Sequence, residues 1–290
     1  MPKLGIVLSG CASKGAYEIG CLQAIEDYFG MESIRCVSSA SIGGMIGHLF
    51  GMGRKQQLEK AFRDMDSGRY GRYILSFAAN KEAMQDLQVM LEGENDVAFA
   101  HYVTMWNVSD SVVEYKSFHT LTPEQLPTYM RAAFSFPLFT RGVRIDGKRY
   151  LDGALLDNIP VHPLVDKDLD YIFCIYFDNT QYIFENEEFD RKVIKLHDFP
   201  NQERLEVLFC DPGSYDRMYS YAYDYTTGLL QKLFADPDPE AVRKAIAHHN
   251  ANNEPTYKHR LTADVVLSGI NSMTKRYGKV LSTREKVKAK

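Results

Sequence analysis

The segment from Ile34 to Phe50 constrains this chain more than any other. An apolar run containing Ile34 and Val37 gives way, through Ser39-Ala40-Ser41-Ile42-Gly43, to a helical pattern at Met45, Ile46, Leu49 and Phe50. Small residues on both sides of Ser41, at the switch from strand to helix periodicity, describe a sharp turn that lifts a serine hydroxyl clear of the backbone. A strand feeding directly into a helix also requires a sheet on which that helix can pack, so the segment argues for an α/β protein.

Two other segments supply what such a serine lacks. A serine hydroxyl is a poor nucleophile without a neighbouring proton acceptor, and a carboxylate within hydrogen-bond reach can play that part. Asp152-Gly153-Ala154 follows the short strand Lys148–Leu151 and offers a carboxylate on a loop. The negative charge that develops on an attacked carbonyl needs preorganised donors. The apolar strand Leu4–Leu8 leads into Ser9-Gly10-Cys11-Ala12-Ser13-Lys14-Gly15, then into a helix with Ile19, Leu22, Ile25 and Phe29 on one face. A loop of small residues before a helix presents backbone N–H groups at the positive end of the helix dipole. Lys14 adds a cation there.

With these segments the chain resembles the patatin-like phospholipases, lipid acyl hydrolases with a Ser-Asp dyad. Gly10 through Gly15 is similar to the family's glycine-rich oxyanion loop, Ser39 to Gly43 to its Gly-x-Ser-x-Gly elbow, and Asp152 to Ala154 to its Asp-Gly-Ala/Gly. Arg131 through Phe139 is similar to its Ala-Ser-x-x-x-Pro-x-x-Phe stretch. The matches fall in family order over roughly the first 165 residues. The resemblance implies Ser41 as nucleophile, Asp152 as general base, donors around Gly10–Ser13, and no metal or organic cofactor; Lys14 then reads as helix-start geometry or as an attraction for a lipid headgroup. The sequence departs from the family in two places. Cys11 and Ala12 replace two glycines of the loop, which preserves the donors only if φ stays negative there. Ser39 replaces the first glycine of the elbow.

Other catalytic arrangements fit the sequence less well. Ser-x-Gly and Asp-Gly pairs are common in turns, and Asp146-Gly147 reads as a hairpin turn into Lys148–Leu151. A Ser-Asp-His triad would need His162, but that residue sits in Asn158-Ile159-Pro160-Val161-His162-Pro163, the expected start of a helix, and reads as a cap or packing residue. His48 falls two turns into the helix after the elbow and should point away. Asp157 lacks a following glycine and is expected to bond backbone near Asn158. The dyad is preferred.

The coarse element order is strand 4–8, helix 15–29, strand 34–38 and helix 41–51. A charged helical stretch then runs from about Lys55 to Glu94, with Leu87, Met90 and Leu91 on its apolar face, read as a lid or a peripheral layer. Strands over 97–107 and 112–118, a helix over 123–133, a strand over 148–151, a helix from about 163 and the strand Tyr171–Phe177 follow. Val193–Leu196 and Glu206–Phe209 are candidate edge strands. Strands alternating with helices imply a mostly parallel central sheet with helices on both faces, a three-layer α/β/α core over residues 1–200. A mainly helical C-terminal extension over 201–290 is expected to pack on it. In that extension the tyrosine-rich Ser214–Phe234 reads as a helix packed on the core rather than an acyl-chain groove, and His248-His249 as a solvated helix end.

Composition bounds the partners. The 290 residues carry a net charge of −4, with 45% hydrophobic residues, five cysteines and no apolar run of membrane-spanning length. The odd cysteine count without metal-type spacing suggests reduced thiols, and Cys11 beside the loop is a slow target for electrophiles. The N-terminus shows no signal-peptide pattern, so a cytoplasmic location is expected. Residues 275–290 form a basic tail on an acidic body, which suggests peripheral contact with an anionic membrane. No nucleic-acid motif is visible. The expectation is a carboxylic ester hydrolase of the phospholipase A or lysophospholipase type acting on a phospholipid or other fatty-acyl ester. Acyl transfer by the same dyad and an inactive lipid- or protein-binding relative are the alternatives.

Overall fold

Every residue of β1 (Leu4–Leu8) is buried, as a strand covered on both faces must be. Leu4, Ile6 and Leu8 enter one apolar core, while Val7 enters a second on the opposite face. The computed structural model describes residues 1–70, 74–137, 139–177, 181–200, 213–252 and 258–260. After β1 come α1 (Gly15–Phe29), β2 (Ile34–Ala40), α2 (Ile42–Gly51), α3 (Lys55–Asp66), α4 (Lys81–Met90), β3 (Ala100–Asn107), β4 (Val112–Ser117), α5 (Leu126–Ala133), β5 (Val143–Ile145) and β6 (Lys148–Asp152). Then follow β7 (Tyr171–Ile175), β8 (Gln181–Ile183), α6 (Glu187–Asp190), β9 (Val193–Leu196), α7 (Ser214–Leu233), α8 (Pro239–Asn252) and β10 (Lys258–Arg260).

The sheet runs β5-β6-β3-β2-β1-β7-β9, with β4 also on β3. From β3 through β9 the neighbours are parallel, whereas β4, β5 and β6 pair antiparallel. The architecture is therefore α/β with a mostly parallel sheet. One face is covered by α1 and α2, whose apolar residues share the larger core with α7. The other is covered by the segment Ile159–Leu169 and by Phe189 of α6. The helix expected from residue 163 is a single 3-10 turn over His162–Leu164, because the chain must then reach β7 at Tyr171, where the Asp170 and Tyr171 N–H groups are held by Lys3 O.

The expected Lys55–Glu94 stretch divides into α3, a 3-10 turn over Ile74–Ala79, and α4, which Asn80 caps by accepting from the Ala83 N–H at 3.0 Å. Leu58, Phe62, Met65, Leu87 and Leu91 are buried in the main core, and the 3-10 turn lies against the loop that follows β1. The hairpin at Asp146-Gly147 forms as expected, with φ of 49° and 79° at its two residues.

The tyrosine-rich segment is a helix packed on the core. α7 crosses α1 at Gly20, where a Cβ would stand 2.5 Å from the Tyr219 carbonyl oxygen. Tyr215, Tyr219 and Tyr223 stack along it, and the Tyr223 hydroxyl donates to Asp27. Among the described residues β9 is the sheet edge beside β7, and α8 lies along it: Asn250 donates to Val193 O and accepts from Lys195 N–H, and His249 Nε2 bonds Lys195 O. His249 is thus an edge-capping residue rather than a solvated one. The Glu206–Phe209 strand and the basic tail 275–290 lie outside the described residues. No described helix is long and apolar enough to cross a membrane.

Candidate active site

Strand register brings Ser41 and Asp152 together. β2 pairs with Ala100–Thr104 of β3, ending at Ala40 opposite Thr104. β6 pairs with Met105–Asn107, ending at Asp152 opposite Met105. β4 occupies the other edge of β3 over Tyr102–Asn107, so β2 and β6 must share one edge. They run toward each other along it, and their C-terminal ends meet between two consecutive residues of β3. Asp152 therefore belongs to the strand rather than to the loop after it, a correction to the sequence reading, because the ladder with β3 extends one residue further.

Ser41 is the single residue between β2 and α2, and it holds φ 53° and ψ −131°. This is a region that side chains other than glycine rarely enter, at a cost on the order of 1–3 kcal/mol. Two close contacts hold it there. A Cβ on Gly43 would lie 3.0 Å from the Ser9 carbonyl oxygen and 3.1 Å from Leu8 Cβ, so the first turn of α2 presses directly against the end of β1. Gly44 N–H donates to Ser41 O at 2.8 Å, opening the helix.

Ser41 Oγ donates to Asp152 Oδ2 at 2.6 Å. Oδ1 of Asp152 accepts from the Ala154 N–H at 2.9 Å, and the Asp152 N–H donates to Ser135 O at 3.0 Å. The carboxylate is thus gripped by the Asp-Gly-Ala turn on one side and by the Arg131–Phe139 stretch on the other. Asp152 is 1% exposed. Burial pushes its carboxyl up to about 7, against the opposing pull of the Ser41 hydroxyl and the Ala154 N–H.

The loop after β1 lies beside this pair. A Cβ on Gly10 would stand 3.2 Å from Ser41 Cβ and collide with Asn158 Oδ1. Gly10 N–H donates to Asn158 Oδ1 at 3.0 Å, and the Asn158 amide returns a bond to Gly10 O. The expectation that Gly10 offers a free donor is therefore corrected, since its N–H ties the loop to the chain following Asp152. Cys11 holds φ −115° and ψ −5°, and Ala12 opens a 3-10 turn through Lys14 that leads into α1 at Gly15. Positive φ outside glycine occurs only at Ser41, Ser111 and Asp146 among the described residues. Replacing the family's glycines at 11 and 12 therefore leaves the loop unstrained.

Two further readings change. Lys14 is 4% exposed, so it is not a surface cation placed to meet a headgroup. Cys11 is buried, and burial together with neighbouring Glu18 raises its thiol well above the usual range, which leaves it inert to electrophiles rather than slowly reactive. Ser13 and Gly153 stand where the motifs put them, in the 3-10 turn before α1 and in the turn after Asp152.

The histidines stay out of the Ser-Asp pair. His162 packs against the Tyr115 ring at 5.5 Å between centroids. Asp157 accepts from the Tyr115 hydroxyl at 2.6 Å, and burial lifts its carboxyl to about 6. His48 points away from Ser41, toward His101 and Asn95. Sequence reasoning misses Asn158, His101 and Asn95 as parts of the site. Asn158 follows Asp157 in a segment that reads only as a helix approach, and the other two carry no motif.

The fold and these motifs define an α/β protein built around a serine elbow at the carboxyl edge of its sheet. The chain belongs to the patatin-like phospholipase family, whose model matches residues 6–165, more than half of its length. That family consists of lipid acyl hydrolases. No curated protein sequence matches the chain. Among solved structures it is similar to VipD from Legionella pneumophila, at 14% identity and TM-score 0.42, covering 86% of this chain and 74% of VipD. It is also similar to the type III effector protein ExoU, at 13% identity and TM-score 0.37, covering 79% of this chain and 53% of that one. ExoU in its heterodimer with SpcU, from the Pseudomonas aeruginosa type III secretion system, matches at 15% identity and TM-score 0.37, with 87% and 58% covered. The chain thus spans little more than half of the ExoU chains.

Proposed function

We propose that this chain is a carboxylic ester hydrolase of the phospholipase A or lysophospholipase type, cleaving fatty-acyl esters through a Ser41–Asp152 dyad. The observation that carries this reading is the 2.6 Å bond from Ser41 Oγ, on a strained elbow, to a buried carboxylate. A carboxylate held near 7 accepts a proton far more readily than an exposed one, and it still ionises at neutral pH.

In the proposed reaction Asp152 takes the hydroxyl proton as Ser41 Oγ bonds to the ester carbonyl carbon. The negative charge on the carbonyl oxygen is met by backbone N–H groups of Cys11 and Ala12 and by the start of α2 at Ile42. Asp152 then protonates the leaving alcohol, and acyl-Ser41 forms. In the second half Asp152 removes a proton from water, hydroxide adds to the acyl carbon, and Ser41 leaves with the proton returned. The test is fatty-acid release from phosphatidylcholine and lysophosphatidylcholine vesicles, with glycerol present as a competing acceptor. Fatty acid released by the wild type and abolished in Ser41→Ala supports hydrolysis. Acylglycerol as the dominant product would assign acyl transfer instead. Release that survives Ser41→Ala would overturn the dyad.

A further inference from the structure

Ser39 is where the family pattern carries glycine, and its side chain enters a closed polar chain beneath the elbow. Ser39 Oγ lies 2.8 Å from His101 Nε2, His101 Nδ1 lies 3.2 Å from His48 Nδ1, and His48 Nε2 lies 2.9 Å from Asn95 Oδ1. Ser39, His101 and His48 are all fully buried. The direction of every bond follows from the far end. The Asn95 amide nitrogen donates to both Phe118 O and Leu121 O, at 2.9 and 2.8 Å, so its Oδ1 can only accept. His48 must then carry its proton on Nε2, which leaves Nδ1 as an acceptor. His101 must donate from Nδ1, which leaves Nε2 to accept from the Ser39 hydroxyl. Burial holds both rings neutral: it lowers His48 to about 4 and takes His101 well below its usual value. The bond to Asn95 opposes this on His48, and the neighbouring Arg54 charge adds to the lowering.

The sequence has made room for this arrangement. A Cβ on Gly47 of α2 would stand 3.1 Å from His101 Nε2, and the His101 N–H is itself pinned by His119 Nδ1 at 3.0 Å. The chain thus joins α2, β3 and the approach to β3 to the residue two positions before Ser41. An elbow serine held at positive φ needs rigid support on both sides, and α2 already supplies the C-terminal side. From this convergence we infer that Ser39 and His101 are positioning residues, which hold the end of β2 so that Ser41 Oγ meets Asp152. The inference rests on the dyad reading above.

Its consequence runs against the family pattern: installing the family's own glycine should harm this enzyme. Ser39→Gly and Ser39→Ala both leave His101 Nε2 without a donor, and a buried unpaired acceptor rearranges its neighbours. The probe is a fluorophosphonate, and the readout is the limiting rate of Ser41 labelling at saturating probe, separated from probe affinity. Labelling about tenfold slower in both variants, with affinity unchanged and the hydroxyl of Ser39→Thr restoring the rate, is expected for small misplacements of a nucleophile. Long-range proton–nitrogen spectra should show His101 protonated on Nδ1 and His48 on Nε2 in the wild type, with the His101 signals shifted in Ser39→Ala. Equal or faster labelling in Ser39→Gly, or the opposite tautomers, would overturn the positioning role while leaving the dyad standing. A wild type that does not label at Ser41 would overturn the dyad itself, and the inference with it.

Discussion

Replacing Asp152 by Asn should stabilise the protein at alkaline pH while removing its chemistry. The carboxyl is buried, and its folded value of about 7 stands above the ordinary value for aspartate. An acid whose folded value is raised keeps its proton in the folded chain while the unfolded chain releases it. Stability therefore falls as pH rises between about 4 and 7 and stays low beyond. At about 1.4 kcal/mol per pH unit, the window costs about 4 kcal/mol in all, of which about 2.5 kcal/mol falls between pH 5 and pH 8. The asparagine of the variant has no charge to desolvate, and its amide nitrogen can donate to Ser41 Oγ across the same short gap. Urea unfolding of wild type and Asp152→Asn at pH 5 and pH 8 measures the difference, and contributions from Asp157 and other groups cancel between the two proteins. The stability of Asp152→Asn relative to wild type should rise by about 2.5 kcal/mol from pH 5 to pH 8. A difference that does not change with pH, or that shrinks, would refute a carboxyl titrating near 7 at this position.

Three shorter predictions rest on the same geometry. The rate of Ser41 labelling by a fluorophosphonate should rise with pH through about 7 and then level off, since Asp152 must be ionised to take the proton; a rate flat from pH 5 to 9 would contradict this. Ser41→Gly should be more stable than Ser41→Ala by on the order of 1–2 kcal/mol in chemical denaturation, because both lack the hydroxyl and only glycine relieves the positive φ. Gly10→Ala should cost about 1–3 kcal/mol of stability and suppress labelling at Ser41, because its methyl group meets Asn158 and breaks the clasp on the loop.

Much of the site is legible in the sequence because its geometry is local. The Ser39–Gly43 elbow, the Asp146-Gly147 hairpin and the Asp152-Gly153-Ala154 turn each encode backbone shape within a few residues, and short-range sterics set that shape. The association of Ser41 with Asp152 comes from motif resemblance alone. Its physical cause, two strands meeting head-on along one edge of β3, depends on register across distant segments that no local pattern reports. Burial is harder still. Lys14 reads as a surface lysine, and His48 as one polar residue on a helix face, because sequence alone does not show that α2 and the first turns of α1 are covered on all sides. His101 and Asn95 lie on a strand and a loop without any motif, and only the packed structure joins them to Ser39. The helix expected after residue 163 fails because the short segment before β7 is tied to Lys3 at the start of β1, a constraint that no local pattern reports.

The most direct measurement is intact-protein mass after fluorophosphonate treatment, with peptide mapping of the adduct and detergent present to expose the site. The expected result is a single adduct on Ser41 in the wild type and none in Asp152→Asn. No adduct in the wild type, an adduct on another residue, or equal labelling of Asp152→Asn would contradict the Ser41–Asp152 dyad.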